Sequence, residues 1–134
     1  MENTRHHRIL LVEDDEAMIR LLRSLLEVGG YDVSVVRCGA TALTCATDSQ
    51  PSLVILDVGL PDMNGYEVSR RLRHSFHPWA MPILMLTGLD KPADQLRGFA
   101  SGADAYLTKP CDPPELLSTI AFLLGQPNAG SSSA

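Results

Sequence analysis

Leu53-Val54-Ile55-Leu56-Asp57 decides how this chain folds: four apolar residues in succession, closed by a single carboxylate. Such a run reads as a strand buried on both faces of a parallel sheet. A charge directly after it is costly unless it stands at the strand's end and opens onto a cleft. Three more runs repeat the design. Ile9-Leu10-Leu11-Val12 ends in Glu13-Asp14-Asp15, Ile83-Leu84-Met85-Leu86 in Thr87-Gly88, and Ala105-Tyr106-Leu107-Thr108 in Lys109-Pro110. Open parallel sheets bind ligands beyond the carboxyl ends of their strands. Parallel neighbours would bring these acids, the hydroxyl and the amine into one site.

Helical signals fill the gaps. Ala17, Met18, Leu21, Leu22, Leu25 and Leu26 recur at helical spacing, and Gly29-Gly30 stops the pattern. Tyr31 to Val36 alternates as a strand, and Gly39 to Asp48 reads as a short helix. Gly59 to Gly65 is a loop, followed by a helix from Tyr66 to His74 with Val68 and Leu72 turned inward. Asp94 to Ala100 makes a short helix ended by Gly102, and Pro113 to Leu124 the last, with its prolines in the first turn. Strand and helix alternate five times. Right-handed crossovers then predict a flavodoxin-like three-layer α/β/α fold, with a five-stranded parallel sheet of order 2-1-3-4-5 and five helices. The expected organisation is a disordered tail over 1–7, one domain over 8–125, and a flexible tail or truncated linker over 126–134.

Composition narrows the function classes. The chain has 134 residues, 45% hydrophobic and 20% charged, which fits one soluble domain with one core. No apolar stretch nears the roughly 18 residues of a membrane span. Met1 to Arg8 lacks the apolar segment of a secretory signal, so a cytoplasmic location is expected. Cys38, Cys45 and Cys111 have no zinc-like spacing and read as reduced thiols. A net charge of −5 disfavours direct nucleic-acid binding and leaves any such contact to a partner or a further domain.

The acids carry the chemistry. Glu13, Asp14 and Asp57 at neighbouring strand ends repel one another unless a cation compensates. A hard divalent ion with oxygen ligands, Mg2+ or Mn2+, answers that need. Asp15 reads separately, as the N-cap of the first helix. Taken singly, Lys109 suits an ion pair and Thr87 a turn cap. Beside a metal they form a phosphoryl cradle of ammonium and hydroxyl. Asp57 can serve as the nucleophile, since carboxylates form acyl phosphates.

These motifs, with Leu56-Asp57-Val58-Gly59-Leu60-Pro61-Asp62-Met63-Asn64-Gly65 between them, resemble the receiver domain of two-component response regulators, chemotaxis-regulator-like, over residues 8–125. The resemblance implies a phosphoprotein that signals rather than an enzyme that turns over. Asp57 would be the phosphoacceptor. Asp14, Asp57 and the backbone carbonyl of Gly59 would ligate the metal, with Glu13 acting through water. Lys109 would pair with Asp57 and then with the phosphate, and Thr87 would bond a phosphoryl oxygen. Tyr106 would be the switch aromatic, turning inward as Thr87 moves, and Lys109-Pro110 a cis peptide. The implied partners are a sensor histidine kinase or a histidine phosphotransfer protein. A self-dimer or an effector would use the face of the fourth helix, fifth strand and last helix.

Two positions tune phosphoryl loss in that family. They are Gly59, which has no side chain, and Leu89, which is apolar. Neither can orient an attacking water, so slow self-hydrolysis is expected. Phe122 falls either outward, as a docking aromatic, or into the core. Charges are few on the last helix, against an ion-paired dimer there. Two rivals remain: a pseudo-receiver signalling by contacts alone, and a phosphatase with an aspartyl-phosphate intermediate. The second lacks an acid two residues after Asp57 and has no cap domain. His6, His7, His74 and His77 read as surface. The chain is expected to be a single-domain regulator or a piece of a longer protein.

Overall fold

The computed structural model describes residues 7–125. Of the tails expected over 1–7 and 126–134, residues 1–6 and 126–134 lie outside the described residues. His7, placed in the tail by sequence, is tied to the sheet: its carbonyl accepts the Asp32 N–H at 3.0 Å.

Five strands, β1 (Arg8–Val12), β2 (Asp32–Val36), β3 (Leu53–Leu56), β4 (Ile83–Thr87) and β5 (Ala105–Thr108), alternate with five helices. These are α1 (Glu16–Val28), α2 (Gly39–Ser49), α3 (Gly65–Ser75), α4 (Pro92–Ala100) and α5 (Pro113–Leu123). The sheet is parallel, in the order β2-β1-β3-β4-β5. The expected fold class is therefore the one observed.

The period of two along each strand divides the core. Leu10, Val12, Val54, Leu56, Ile83 and Met85 pack with Ala42 and Ala46 of α2 and Val68 and Leu72 of α3. Ile9, Leu11, Leu53, Ile55, Leu84 and Leu86 pack on the other face with Leu22 and Leu26 of α1 and Leu116 and Ile120 of α5. β3 is buried throughout, as its unbroken apolar run requires.

The helices differ in detail from their sequence patterns. Helix α1 buries Ile19, Leu22 and Leu26, while Ala17 is exposed and Leu21 is 54% exposed. Its apolar positions offer two overlapping stripes, and packing selects the one at i, i+3, i+7. Asp15 caps it as expected, accepting the Met18 N–H at 3.1 Å. Helix α4 starts two residues early, because Pro92 suits the first turn and Asp94 Oδ2 accepts the Lys91 N–H. Of its nine residues only Gly98 is buried. Phe122 points outward, 77% exposed. Among the described residues no helix is long and apolar enough to cross a membrane.

Two devices hold strand ends. Ahead of β4 and β5 the guanidinium of Arg73 donates to Asp104 at 2.7 Å and to the carbonyls of Phe76, Met81 and Gly102. At the carboxyl end of β3, Gly65 lies flush on the backbone of Asp57 and Val58, with its N–H bonded to the Val58 carbonyl at 2.8 Å. A methyl group at Gly65 would stand 2.8 Å from the Val58 Cα and closer still to the Asp57 carbonyl oxygen. Backbone cannot yield as a side-chain tip can. Gly65→Ala is expected to destabilise the protein by about 1–3 kcal/mol, the usual range for overpacking. Urea denaturation measures it; an unchanged midpoint would show that the loop accommodates the methyl.

Candidate functional site

Register assembles the site. Val12 pairs with Leu56, so Glu13 and Asp57 follow side by side. The ladder runs one residue past β1, β3 and β5. Glu13 N–H reaches the Val36 carbonyl at 3.1 Å, Asp57 N–H the Val12 carbonyl at 3.2 Å, and Lys109 N–H the Thr87 carbonyl at 2.8 Å. Glu13, Asp57 and Lys109 are thereby fixed by backbone hydrogen bonds as well as by their side chains.

The side chains converge. Glu13 is 2% exposed, Asp57 is largely buried and Asp14 is exposed. Carboxylate oxygens of the three lie within 4.8 Å of one another. Lys109 Nζ donates to Glu13 Oε1 at 2.7 Å and to Asp57 Oδ2 at 3.1 Å. The lysine therefore bridges two acids, where the sequence reading paired it with Asp57 alone. Glu13 Oε2 accepts the Asp15 N–H at 3.2 Å, so both of its oxygens are engaged. The Gly59 N–H lies 3.4 Å from Asp57 Oδ1. The Lys109-Pro110 peptide is cis, as expected.

Burial and charge act in opposition here. Desolvation raises the Glu13 carboxyl above its ordinary range, and the Lys109 ammonium offsets this only in part. Desolvation is also the largest single influence on Lys109 and pulls it down. Glu13 and Asp57 together outweigh it, so the ammonium ends above its usual value. Three carboxylates against one ammonium leave negative charge in excess. The donor set is all oxygen, the chemistry that hard divalent cations select.

Thr87 is buried at the end of β4. Tyr106 is half-buried, and its hydroxyl donates to the Leu89 carbonyl at 2.8 Å. Burial, then the Tyr66 hydroxyl, raise its phenol above the usual range. Two residues escaped the sequence reading. Tyr66 is buried and its hydroxyl reaches the Asp94 carbonyl at 3.2 Å, while Arg97 lies 4.3 Å over its ring. Asp62 accepts from the N–H groups of Gly39 and Ala40. Each partner lies more than twenty positions away, and no local pattern signals either contact.

The family model for the response regulator receiver domain matches residues 9–121. The chain belongs to that family. The receiver is 43% identical over 117 residues to the DNA-binding dual master transcriptional regulator RpaA of Synechocystis sp., covering 87% of this chain and 48% of that protein. It is 41% identical to the alkaline phosphatase synthesis transcriptional regulatory protein PhoP of Bacillus subtilis, again covering 87% and 48%. The chain thus spans about half the length of these curated relatives. A putative response regulator from Chloroflexus aurantiacus superposes with TM-score 0.84 at 35% identity, over 91% of this chain and all of that one. The BeF3-activated N-terminal receiver domain of Klebsiella pneumoniae RstA superposes with TM-score 0.83 at 32% identity, over 89% of this chain and 99% of that one. The receiver is a signalling domain of two-component systems, and its acidic cluster is of a kind that can hold a metal.

The raised Glu13 carboxyl has a consequence for stability. A group whose folded pKa lies above its unfolded value contributes stability in full below the unfolded value, here 4.5, and loses it as pH rises through the folded one. In metal-free buffer, the stability of wild type relative to Glu13→Gln is therefore expected to fall as pH rises above 4.5. Urea midpoints across that window check it. A difference that grows with pH would contradict the assignment.

Proposed function

We propose that this receiver accepts a phosphoryl group on Asp57 from the phosphohistidine of a sensor histidine kinase or a histidine phosphotransfer protein, and passes a change of shape to a partner or output domain. The observation that carries this reading is the Lys109 ammonium held on Glu13 and Asp57, with Asp14 alongside. Asp14, Asp57 and the Gly59 backbone carbonyl would hold Mg2+ (or Mn2+), with Glu13 acting through water. Bound there, the ion neutralises charge on the phosphoryl oxygens.

The residues divide the work. An oxygen of Asp57 attacks phosphorus as the bond to the donor imidazole breaks. Lys109, already on Asp57, moves its charge to the phosphoryl oxygens. Thr87 donates its hydroxyl to another of them. The added charge of about −1.5 to −2 shifts the balance between conformations. Thr87 and Leu89 share one segment, and Tyr106 grips that segment by the Leu89 carbonyl. A shift of Thr87 is therefore felt at Tyr106. An apolar pocket bordered by Met18, Leu21, Leu22, Pro110 and Cys111 opens beside Lys109, an apolar footing for a phosphodonor protein next to Asp57.

The output surface is the face of α4, β5 and α5, where Leu96, Phe99 and Phe122 are exposed. A self-dimer or an effector would dock there through apolar contact, since α5 carries few charges. With a net charge of −5, the receiver itself makes no nucleic-acid contact in this reading. It works in the cytoplasm, as one domain over residues 8–125.

Acetyl phosphate supplied with and without Mg2+ tests the reading by intact mass. Wild type is expected to gain one phosphoryl group in a Mg2+-dependent manner, and Asp57→Asn none. No gain under conditions that label a control receiver would reject it. The labelled form, followed after removal of donor, is expected to persist for minutes or longer, because Gly59 and the side chain of Leu89 cannot position water; decay within seconds would contradict that.

A further inference from the structure

The loop after β3 closes on itself at its neck, where the Gly65 N–H meets the Val58 carbonyl. Gly59, beyond that neck, is exposed, and nothing packs where its side chain would be. Its peptide is tied locally, by the Leu60 N–H to the Val58 carbonyl at 3.0 Å and by its own N–H 3.4 Å from Asp57 Oδ1, and the anchoring of the loop's tip bears further on where its carbonyl sits. The tip is held by helix α2. Asp62 Oδ1 accepts the Gly39 N–H at 2.7 Å, and Oδ2 the Ala40 N–H at 2.9 Å. Those two donors keep the Asp62 carboxyl below its usual range, so the anchor stays ionised. The arrangement is unusual for a helix start. The N-cap residue, Cys38, makes no cap bond with its own side chain, and the cap arrives instead from the loop. Gly39 permits the approach, since a methyl group there would stand 2.5 Å from Met63 Cγ.

We propose that Asp62 is a positioning residue for the phosphoryl-transfer site: by docking the loop on the α2 N-terminus it fixes the Gly59 carbonyl for the divalent cation. This rests on the functional reading given above. Asp62 touches neither metal nor phosphate in this account, and it acts through the backbone between positions 59 and 62. Helix α2 thereby gains a task beyond covering the sheet.

Capping and positioning can be separated. In Asp62→Ala the helix loses its cap and the loop its anchor together. In Asp62→Ala/Cys38→Ser a local hydroxyl recaps the helix while the loop stays free. Residue 38 already has the extended backbone of an N-cap, with φ −149° and ψ 164°. Mg2+ titrations of the full chain, followed by the amide shifts of Asp57 and Gly59, give the affinity, and thermal denaturation without Mg2+ gives the stability. Loss of Asp62 is expected to weaken Mg2+ binding about tenfold, the low end for residues that orient metal ligands. The double variant should recover the melting temperature and keep the weakened affinity. Unchanged Mg2+ affinity in Asp62→Ala, or affinity that returns with stability in the double variant, would overturn the inference alone. Wild type that shows no saturable Mg2+ binding would overturn the functional reading and this inference with it.

Discussion

Mutual repulsion among Glu13, Asp14 and Asp57 is the constraint on which the rest of this structure turns. Backbone register forces the three within 4.8 Å, and a single ammonium lies between two of them. Like charges so close favour protonation, burial adds to the cost, and one lysine offsets only part of it. Burial first, and the Asp57 charge after it, hold the Glu13 carboxyl above its ordinary range despite an ion pair at 2.7 Å. A fold shaped only for stability would place apolar residues at these strand ends. Here the conflict is held in place by the sheet, and a divalent cation is the partner that would relieve it.

The same sheet connects that conflict to a surface. Thr87 ends β4 inside the site, Leu89 follows it, and Tyr106 grips the Leu89 carbonyl from β5. Helix α4 begins just beyond and buries only Gly98. Its attachments mix polar and apolar contacts: Tyr66 reaches the Asp94 carbonyl, Arg97 lies over the Tyr66 ring, and Gly98 and Phe99 pack against Tyr106. Hydrogen bonds of this kind contribute about 0.5–1.5 kcal/mol each, far less than a buried apolar face. A helix so attached can change its position at small cost, and the proposed switch needs such an element.

What could be read from the sequence, and what could not, follows from distance along the chain. Each site residue stood directly after or within an apolar run, so strand order alone brought Glu13, Asp57, Thr87 and Lys109 together. The family match later agreed with the motifs around them. Periodicity did less well where apolar residues were plentiful. Helix α1 offered two stripes, and Ile19 was passed over for Ala17 and Leu21. Phe122 could not be assigned a side until α5 was packed. Asp62 and Tyr66 were silent because each acts across more than twenty residues through a backbone group, which no local spacing encodes.

The most direct test of this account is the stability of the metal-free protein as Mg2+ is added, for wild type and for Asp14→Asn. If the carboxylate cluster is a cation site, the wild-type melting temperature rises with Mg2+, by the equivalent of about 2.7 kcal/mol at a hundredfold excess over the dissociation constant. Asp14→Asn, with one repelling charge removed, should start no less stable and gain much less. A wild-type melting temperature indifferent to Mg2+ would mean that Lys109 alone settles the charges, and the central claim would fail.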